Sequence, residues 1–174
     1  VENLHWPDAP DMWMPYAPAI KVTGGSMIFC AGVTAAPVYH HHPHRPEEFD
    51  AMPDTMEGQA RVALEQLKKG LAAAGATFDD VVSADRFLTD MEEQDDLNRI
   101  WAEFFGDAKP ATTSVQVVRM ATDPRCKIEY VCDLLRTNIR RVENLLPVDC
   151  ERTINAHELI KSKKIVLGFF RTTF

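Results

Sequence analysis

The chain contains no apolar run approaching the roughly 20 residues that a membrane-crossing helix needs. Its start, Val1-Glu2-Asn3-Leu4-His5-Trp6, has neither a basic region nor an apolar block. Neither a membrane span nor a secretory leader is therefore expected. Basic residues are in short supply too. With 19 Lys+Arg against 26 Asp+Glu, the net charge is −7. That disfavours general nucleic-acid binding, which calls for a basic surface. Cysteine is limited to Cys30, Cys126, Cys132 and Cys150, with no CxxC spacing among them. Three of these sit in apolar or strand-like surroundings, where a reduced thiol packs as a small hydrophobe. The expected setting is reducing and cytoplasmic.

What is present suits one globular domain with an appendage: 174 residues, 45% apolar and 26% charged. The charge is uneven. From Arg136 to the end there are eight Lys/Arg and four Asp/Glu, or +4, which leaves −7 − 4 = −11 for the rest. Residues 1–18 carry Trp6, Pro7, Pro10, Trp13, Pro15, Tyr16 and Pro18, a composition that disfavours helix and central strand and reads as an extended arm. The division expected is an arm (1–18), a folded body (19–135) and a basic C-terminal extension (136–174). Within the extension, Thr153–Lys161 reads as a short helix and Ile165–Phe170 as a strand.

Along the body, Ile20–Val22 and Met27–Val33 read as strands joined in a hairpin by Thr23-Gly24-Gly25-Ser26. Residues 34–53 form a long loop with four prolines and a histidine cluster. A helix begins with Asp54 as N-cap and Glu57 three residues on. It continues through Met56, Ala60, Ala63, Leu67, Leu71 and Ala74 and stops at Gly75. Val81–Leu88 is a strand. Gln94–Phe105 is a second helix, with Leu97, Trp101, Phe104 and Phe105 on its inner side. Thr112–Val118 and Lys127–Leu134 are strands. The order β-β-α-β-α-β-β is an α+β plan, a mixed sheet with two helices on one face. Alternation in Thr112–Val118 puts Thr113, Val115 and Val117 on one side and Ser114, Gln116 and Val118 on the other. The second, partly polar set is the one expected where subunits meet.

Two stretches carry chemistry. Lys109-Pro110-Ala111-Thr112-Thr113-Ser114-Val115-Gln116-Val117 runs from a loop into a strand. Lys127-Ile128-Glu129-Tyr130-Val131 is a strand with one carboxylate among apolar neighbours. Ile128, Tyr130 and Cys132 share one strand face, Glu129 and Val131 the other. If buried, Glu129 would have a raised pKa suited to proton transfer; otherwise it is a charge on an exposed strand. His40-His41-His42-Pro43-His44 is the third constellation. In an extended loop His40, His42 and His44 fall on one side, as a metal-binding face, a cleft lining or a solvated loop. No Cys or carboxylate at ligand spacing joins them. Cys30 reads as packed rather than nucleophilic, since no motif ties a histidine to it.

These stretches resemble the active-site strands of the Rid (YjgF-type) family of enamine and imine deaminases. Pro15-Tyr16-Ala17-Pro18-Ala19-Ile20-Lys21-Val22, Met27-Ile28-Phe29-Cys30-Ala31-Gly32, Gln59, Gly75-Ala76-Thr77-Phe78-Asp79-Asp80-Val81-Val82, Phe87-Leu88-Thr89-Asp90-Met91 and Leu97–Phe105 look like further family segments in the same order. The resemblance implies a chorismate-mutase-like fold, a homotrimer whose sheets form a central barrel, and small-molecule sites in the clefts between subunits. It implies no cofactor and no metal. It gives Glu129 the task of positioning or activating water. It makes Tyr16, Ala31, Phe87, Thr112, Thr113 and Ser114 substrate-binding positions. Two departures stand out: Thr112 replaces the family's carboxylate-gripping arginine, and Ala31 replaces its usual serine. A threonine hydroxyl cannot make a bidentate grip. Either the substrate differs from the small 2-imino acids or another cation takes over, with Arg45, Arg86 and Arg119 as candidates. The leading expectation is hydrolytic deamination of a reactive enamine or imine, with an aminated dicarboxylic intermediate of aromatic or pyrimidine breakdown as one substrate. The alternatives are a non-catalytic ligand-binding or chaperone-like trimer and a metal-dependent hydrolase built on the histidine loop.

Overall fold

The computed structural model describes residues 1–4, 15–37, 41 and 43–136. The readings for Thr153–Lys161 and Ile165–Phe170, and most of the arm, lie outside these. The strands are β1 (Glu2–Leu4), β2 (Ala19–Lys21), β3 (Ser26–Phe29), β4 (Val33–Thr34), β5 (Val81–Leu88), β6 (Ala111–Gln116) and β7 (Ile128–Arg136). The helices are α1 (Met56–Ala73) and α2 (Gln94–Phe105), with short 3-10 turns at Pro46–Phe49, Phe78–Asp80 and Met91–Glu93.

The main sheet runs β3-β7-β5-β6, with β4 also on β7. The β5–β6 pair is parallel, and α2 lies on the crossover such a pair requires. The other pairings are antiparallel. The expected β2–β3 hairpin does not form. Gly24 and Gly25 do turn the chain, at φ 71° and 88°. However, β2 pairs with β1 in a separate two-stranded sheet, while β3 pairs with β7.

The expected continuous strand 27–33 is interrupted. Phe29 faces Asp133 and Val33 faces Tyr130, four steps on one side against three on the other. One extra residue is thus inserted between β3 and β4, as in a β-bulge. Cys30 N–H still donates to Cys132 O at 3.0 Å, so the insertion falls at Ala31-Gly32.

Helix α1 begins one residue later than the capping box suggests. Thr55 is the N-cap, its hydroxyl accepting from Gly58 N–H at 3.1 Å. Its end is as expected. Gly75, at φ 67°, follows the last turn, with Gly75 N–H to Ala72 O at 2.9 Å and Ala76 N–H to Leu71 O at 2.8 Å. Gln59, 1% exposed, fastens the helix to two loops. Its amide nitrogen donates to Pro53 O and Arg125 O, both at 2.8 Å, and its oxygen accepts from Lys127 N–H at 2.7 Å.

Both helices cover one face of the sheet. Leu64, Leu67, Leu71, Leu97, Ile100 and Trp101 pack there against Ala84, Leu88, Ile128, Tyr130, Cys132 and Leu134. Each fully buried large side chain contributes about 1.5–3 kcal/mol. Among the largest fully buried side chains only Phe49 lies outside this layer. Phe49 belongs to a smaller cluster with Ala35, Ala36, Met52, Met120 and Cys126, which packs the two ends of the 34–53 loop together. On the opposite sheet face this cluster packs against Phe87 and Val117, and the rest of that face has no such layer among the described residues. Met27, Phe29 and Val115 are 41%, 67% and 41% exposed on it.

Candidate functional site

The open sheet face is set by register. Glu129 stands opposite Thr34 of β4 on one side and Phe87 of β5 on the other, and Phe87 stands opposite Val115 of β6. Strand alternation aims these four side chains away from the helices. The parity expected for β7 holds: Ile128, Tyr130 and Cys132 are buried, while Glu129 and Val131 are half-buried.

The bulge makes room for the Glu129 carboxyl. A β-carbon on Gly32 would collide with its Oε1 and lie 2.8 Å from its Cδ. Gly32 is not among the glycines at positive φ, so the position needs a hydrogen for space rather than for backbone freedom. Ala31 sits exposed beside it. Burial raises the Glu129 pKa above the ordinary glutamate value. The Cys126 thiol is near enough to feel the Glu129 charge. Its pKa is raised by burial first, and a hydrogen bond with Thr34 opposes that rise. Thr34, 8% exposed, also accepts from Ala36 N–H at 3.1 Å. The site thus offers a carboxyl poised to exchange a proton, flanked by an aromatic ring and a buried hydroxyl.

The other expected site residues separate into two places. Tyr16 and Thr112 come together at the start of edge strand β6. Ala17 N–H and the Thr112 hydroxyl both donate to Pro110 O, at 3.3 and 3.0 Å. The Tyr16 side chain is 37% exposed. Thr112 stands opposite Ala84, three pairs along the strands from Glu129 and on the helix side. Three residues of strand amount to about 10 Å. Within one chain, Glu129 and Thr112 therefore do not share a pocket.

The expected facing of β6 is reversed. Thr113 and Val115 lie on the open face, while the Ser114 hydroxyl turns under the sheet and accepts from Arg86 Nε at 3.0 Å. The polar side chain that looked like an interface residue is a partner for a buried guanidinium. Arg86 itself, 3% exposed, lies in the helix-side layer and does not face Glu129. Arg45 precedes the 3-10 turn Pro46–Phe49, its N–H donating to Glu48, and Arg119 is exposed. Of the three, only Arg86 shares a sheet face with Thr112, one same-face position along β5, and its guanidinium is bonded to Ser114 and Asn98.

The histidine loop divides as well. His41 Nδ1 lies 2.7 Å from Glu48 Oε1. His44 lies 3.4 Å from Thr122 O and packs on Phe49, in the smaller cluster. His40 and His42 fall outside the described residues. Among the described residues no three of His, Cys, Asp and Glu converge where a metal ion could sit. No helix among them is long and apolar enough to cross a membrane. The residues that sequence reasoning missed are Gly32, Thr34 and Cys126. Gly32 stood beside the noted Ala31, but its task depends on the bulge, which the apolar run conceals.

The comparisons with known proteins agree with this architecture. The family model described as Endoribonuclease L-PSP matches residues 7–133. A RutC family protein from Pyrococcus horikoshii is 33% identical over 130 residues, 75% of this chain and 95% of that protein. TdcF of Escherichia coli, named as a candidate reactive intermediate deaminase, is 29% identical over 127 residues, 71% of this chain and 89% of that protein. The crystal structure of Escherichia coli TdcF with bound serine superposes with a TM-score of 0.53 at 26% identity, covering 78% of this chain and 99% of that one. With a mixed sheet backed by two helices, and with the family model and these relatives matching most of its length, this chain belongs to the Endoribonuclease L-PSP family, the Rid or YjgF-type proteins.

Proposed function

We propose that the protein hydrolyses a reactive enamine or imine, releasing ammonia, in clefts completed between the copies of a homotrimer. The observation that carries this reading is the Glu129 carboxyl: half-buried, raised in pKa, and seated against Gly32 on the open sheet face. A carboxyl whose pKa is raised by burial holds its proton more readily than a free glutamate and can serve in turn as acid and base. As the acid it delivers a proton to the enamine carbon, giving the iminium. As the carboxylate it takes a proton from a water attacking the C=N carbon. The tetrahedral adduct then collapses: Glu129 returns the proton to the nitrogen, the C–N bond breaks as the hydroxyl oxygen forms the C=O bond, ammonia leaves, and the hydroxyl proton passes back to the Glu129 carboxylate. The deaminase name of TdcF supports the same reaction class.

The substrate is expected to differ from the small 2-imino acids. Thr112 has no charge, and its hydroxyl is engaged by Pro110 O. A larger aminated intermediate, such as an aminated dicarboxylic acid from aromatic or pyrimidine catabolism, would draw binding energy from the cleft walls instead of from one arginine. The subunit arrangement rests on the open sheet face, where Met27, Phe29 and Val115 lie exposed, and on the distance separating Glu129 from Tyr16 and Thr112 within one copy. The test is to generate 2-aminoacrylate and larger enamines enzymatically and follow ammonia release. Acceleration that Glu129→Ala abolishes is the expected result. No acceleration on any substrate would refute the enzymatic reading. A second reading, a non-catalytic ligand-binding or chaperone-like trimer, is favoured by the same engaged Thr112. It predicts saturable binding without turnover.

A further inference from the structure

The helix-side layer contains a buried guanidinium and, beside it, two buried polar atoms without a hydrogen-bond partner. Arg86 is 3% exposed. Its guanidinium has five N–H donors. Two are paired, Nε to Ser114 Oγ at 3.0 Å and Nη1 to Asn98 Oδ1 at 2.9 Å. Both partners are uncharged, and no carboxylate among the described residues bonds to it. The guanidinium lies over Trp101, 5.2 Å from the ring centroid. The Trp101 and Tyr130 rings are 5.6 Å apart, and Tyr130 is the cross-strand partner of Arg86. Trp101 Nε1 and the Tyr130 hydroxyl are both fully buried without a hydrogen-bond partner. One positive charge, an orphan indole N–H and an orphan phenol hydroxyl therefore share one buried neighbourhood.

Burying a guanidinium without a counter-charge is costly, and orphan buried donors are rare enough to call for a cause. A stacked tryptophan offsets part of that cost but supplies no counter-charge. What the cluster lacks, among the described residues, is a counter-charge. An anion brings acceptors only, and a single negative charge matches the single guanidinium.

We infer that Arg86, Trp101 and Tyr130 form a binding site for a compact monoanion, a halide or the carboxylate of a small acid, between the sheet and α2. The site is separate from Glu129, which faces the other side of the sheet, and it does not depend on the deaminase reading. Its occupant neutralises Arg86, and through the Arg86–Ser114 bond it steadies edge strand β6.

The test uses the full chain. Thermal unfolding is followed at fixed ionic strength while sodium gluconate, a bulky anion, is exchanged for sodium chloride in one series and for sodium formate in another. At 100 times the dissociation constant, a site of this kind raises Tm by roughly 5–10 °C. A saturable rise in either series, lost in Arg86→Met, supports the site, and the series that saturates first names the better occupant. Because Arg86→Met could fail to fold, wild-type crystals are also soaked in sodium bromide, which is expected to give an anomalous peak beside Arg86, Trp101 and Tyr130. A Tm indifferent to the anion exchanged, together with no bromide peak in this layer, overturns the inference. So does an anion response that persists unchanged in a folded Arg86→Met protein.

Discussion

The most discriminating perturbation is Gly32→Ala, because it adds one methyl group and aims it at one functional atom. The new β-carbon would collide with Glu129 Oε1 and stand 2.8 Å from Cδ and 3.2 Å from Cγ. No other atom is among its closest neighbours, and the backbone at 32 is not in the left-handed region, so alanine brings no strain of its own. The obstacle is the far end of a flexible side chain. Glu129 can rotate away at a cost of about 0.5–1.5 kcal/mol for leaving its preferred rotamer. For a chain of this size that is a fall in Tm of roughly 1–6 °C.

Catalysis should suffer far more. A positioned acid or base contributes typically 10²–10⁴-fold, or about 2.7–5.5 kcal/mol of barrier. Gly32→Ala is expected to lose most of that, matching Glu129→Ala in the ammonia-release assay while remaining folded. The double variant should be no slower than either single one. Its Tm should recover the part lost to the clash, because Glu129→Ala removes the obstructing atoms. Wild-type activity in Gly32→Ala, beside an inactive Glu129→Ala, would show that the carboxyl works from somewhere other than the seat over Gly32.

Glu129 also makes a pH prediction. Its folded pKa lies above its unfolded one, so the native state holds the extra proton and stability falls as pH rises from the unfolded value through the folded one. Glu129→Gln should therefore be the more stable protein at neutral pH, with the difference vanishing below the unfolded carboxyl pKa; urea titrations across pH would show it. Gln59→Ala should cost about 3 kcal/mol, because three hydrogen bonds at a 1%-exposed side chain vanish and leave Lys127 N–H and Arg125 O unmet. A loss below 1 kcal/mol in urea denaturation would mean that water replaces the amide. Thr112→Arg should raise kcat/KM on small 2-imino acids by roughly 10–100-fold through a charge-assisted bidentate contact. An unchanged value would mean that position 112 does not face the substrate.

Sequence reasoning worked best where the pattern was local. Val81–Leu88 and Gln94–Phe105 appear with the bounds expected, because alternation in one and the Leu97, Trp101 and Phe105 stripe ended by Gly106 in the other are self-contained signals. Helix α1 started one residue late because Asp54 and Thr55 are both competent caps, and only Thr55 has its hydroxyl against Gly58 N–H. The β2–β3 hairpin failed for a non-local reason. The turn at Gly24-Gly25 exists, but β1 competes for β2, and nothing in Glu2-Asn3-Leu4 announces a strand. The bulge at Ala31-Gly32 was hidden inside an apolar run, and only the register against β7 exposes it.

The reversed facing of β6 is the most consequential of these differences. The alternation of Thr113 and Ser114 was legible, but which of them turned inward was not. A serine reads as the outward residue until a buried arginine on the next strand claims it. That assignment fixes the rest. With Ser114 inward, Thr112 is inward as well, tied to Pro110 O beside the Tyr16 segment, while Glu129 faces outward three pairs away. A site using both ends must gather them from two copies whose edges and open faces meet, since one chain holds them on opposite sides of its own sheet. The exposed Phe29, Met27 and Val115 supply apolar surface for such a meeting. The trimer and the shared cleft therefore stand or fall together. Protein that remains monomeric at assay concentrations should have Glu129 intact and no turnover.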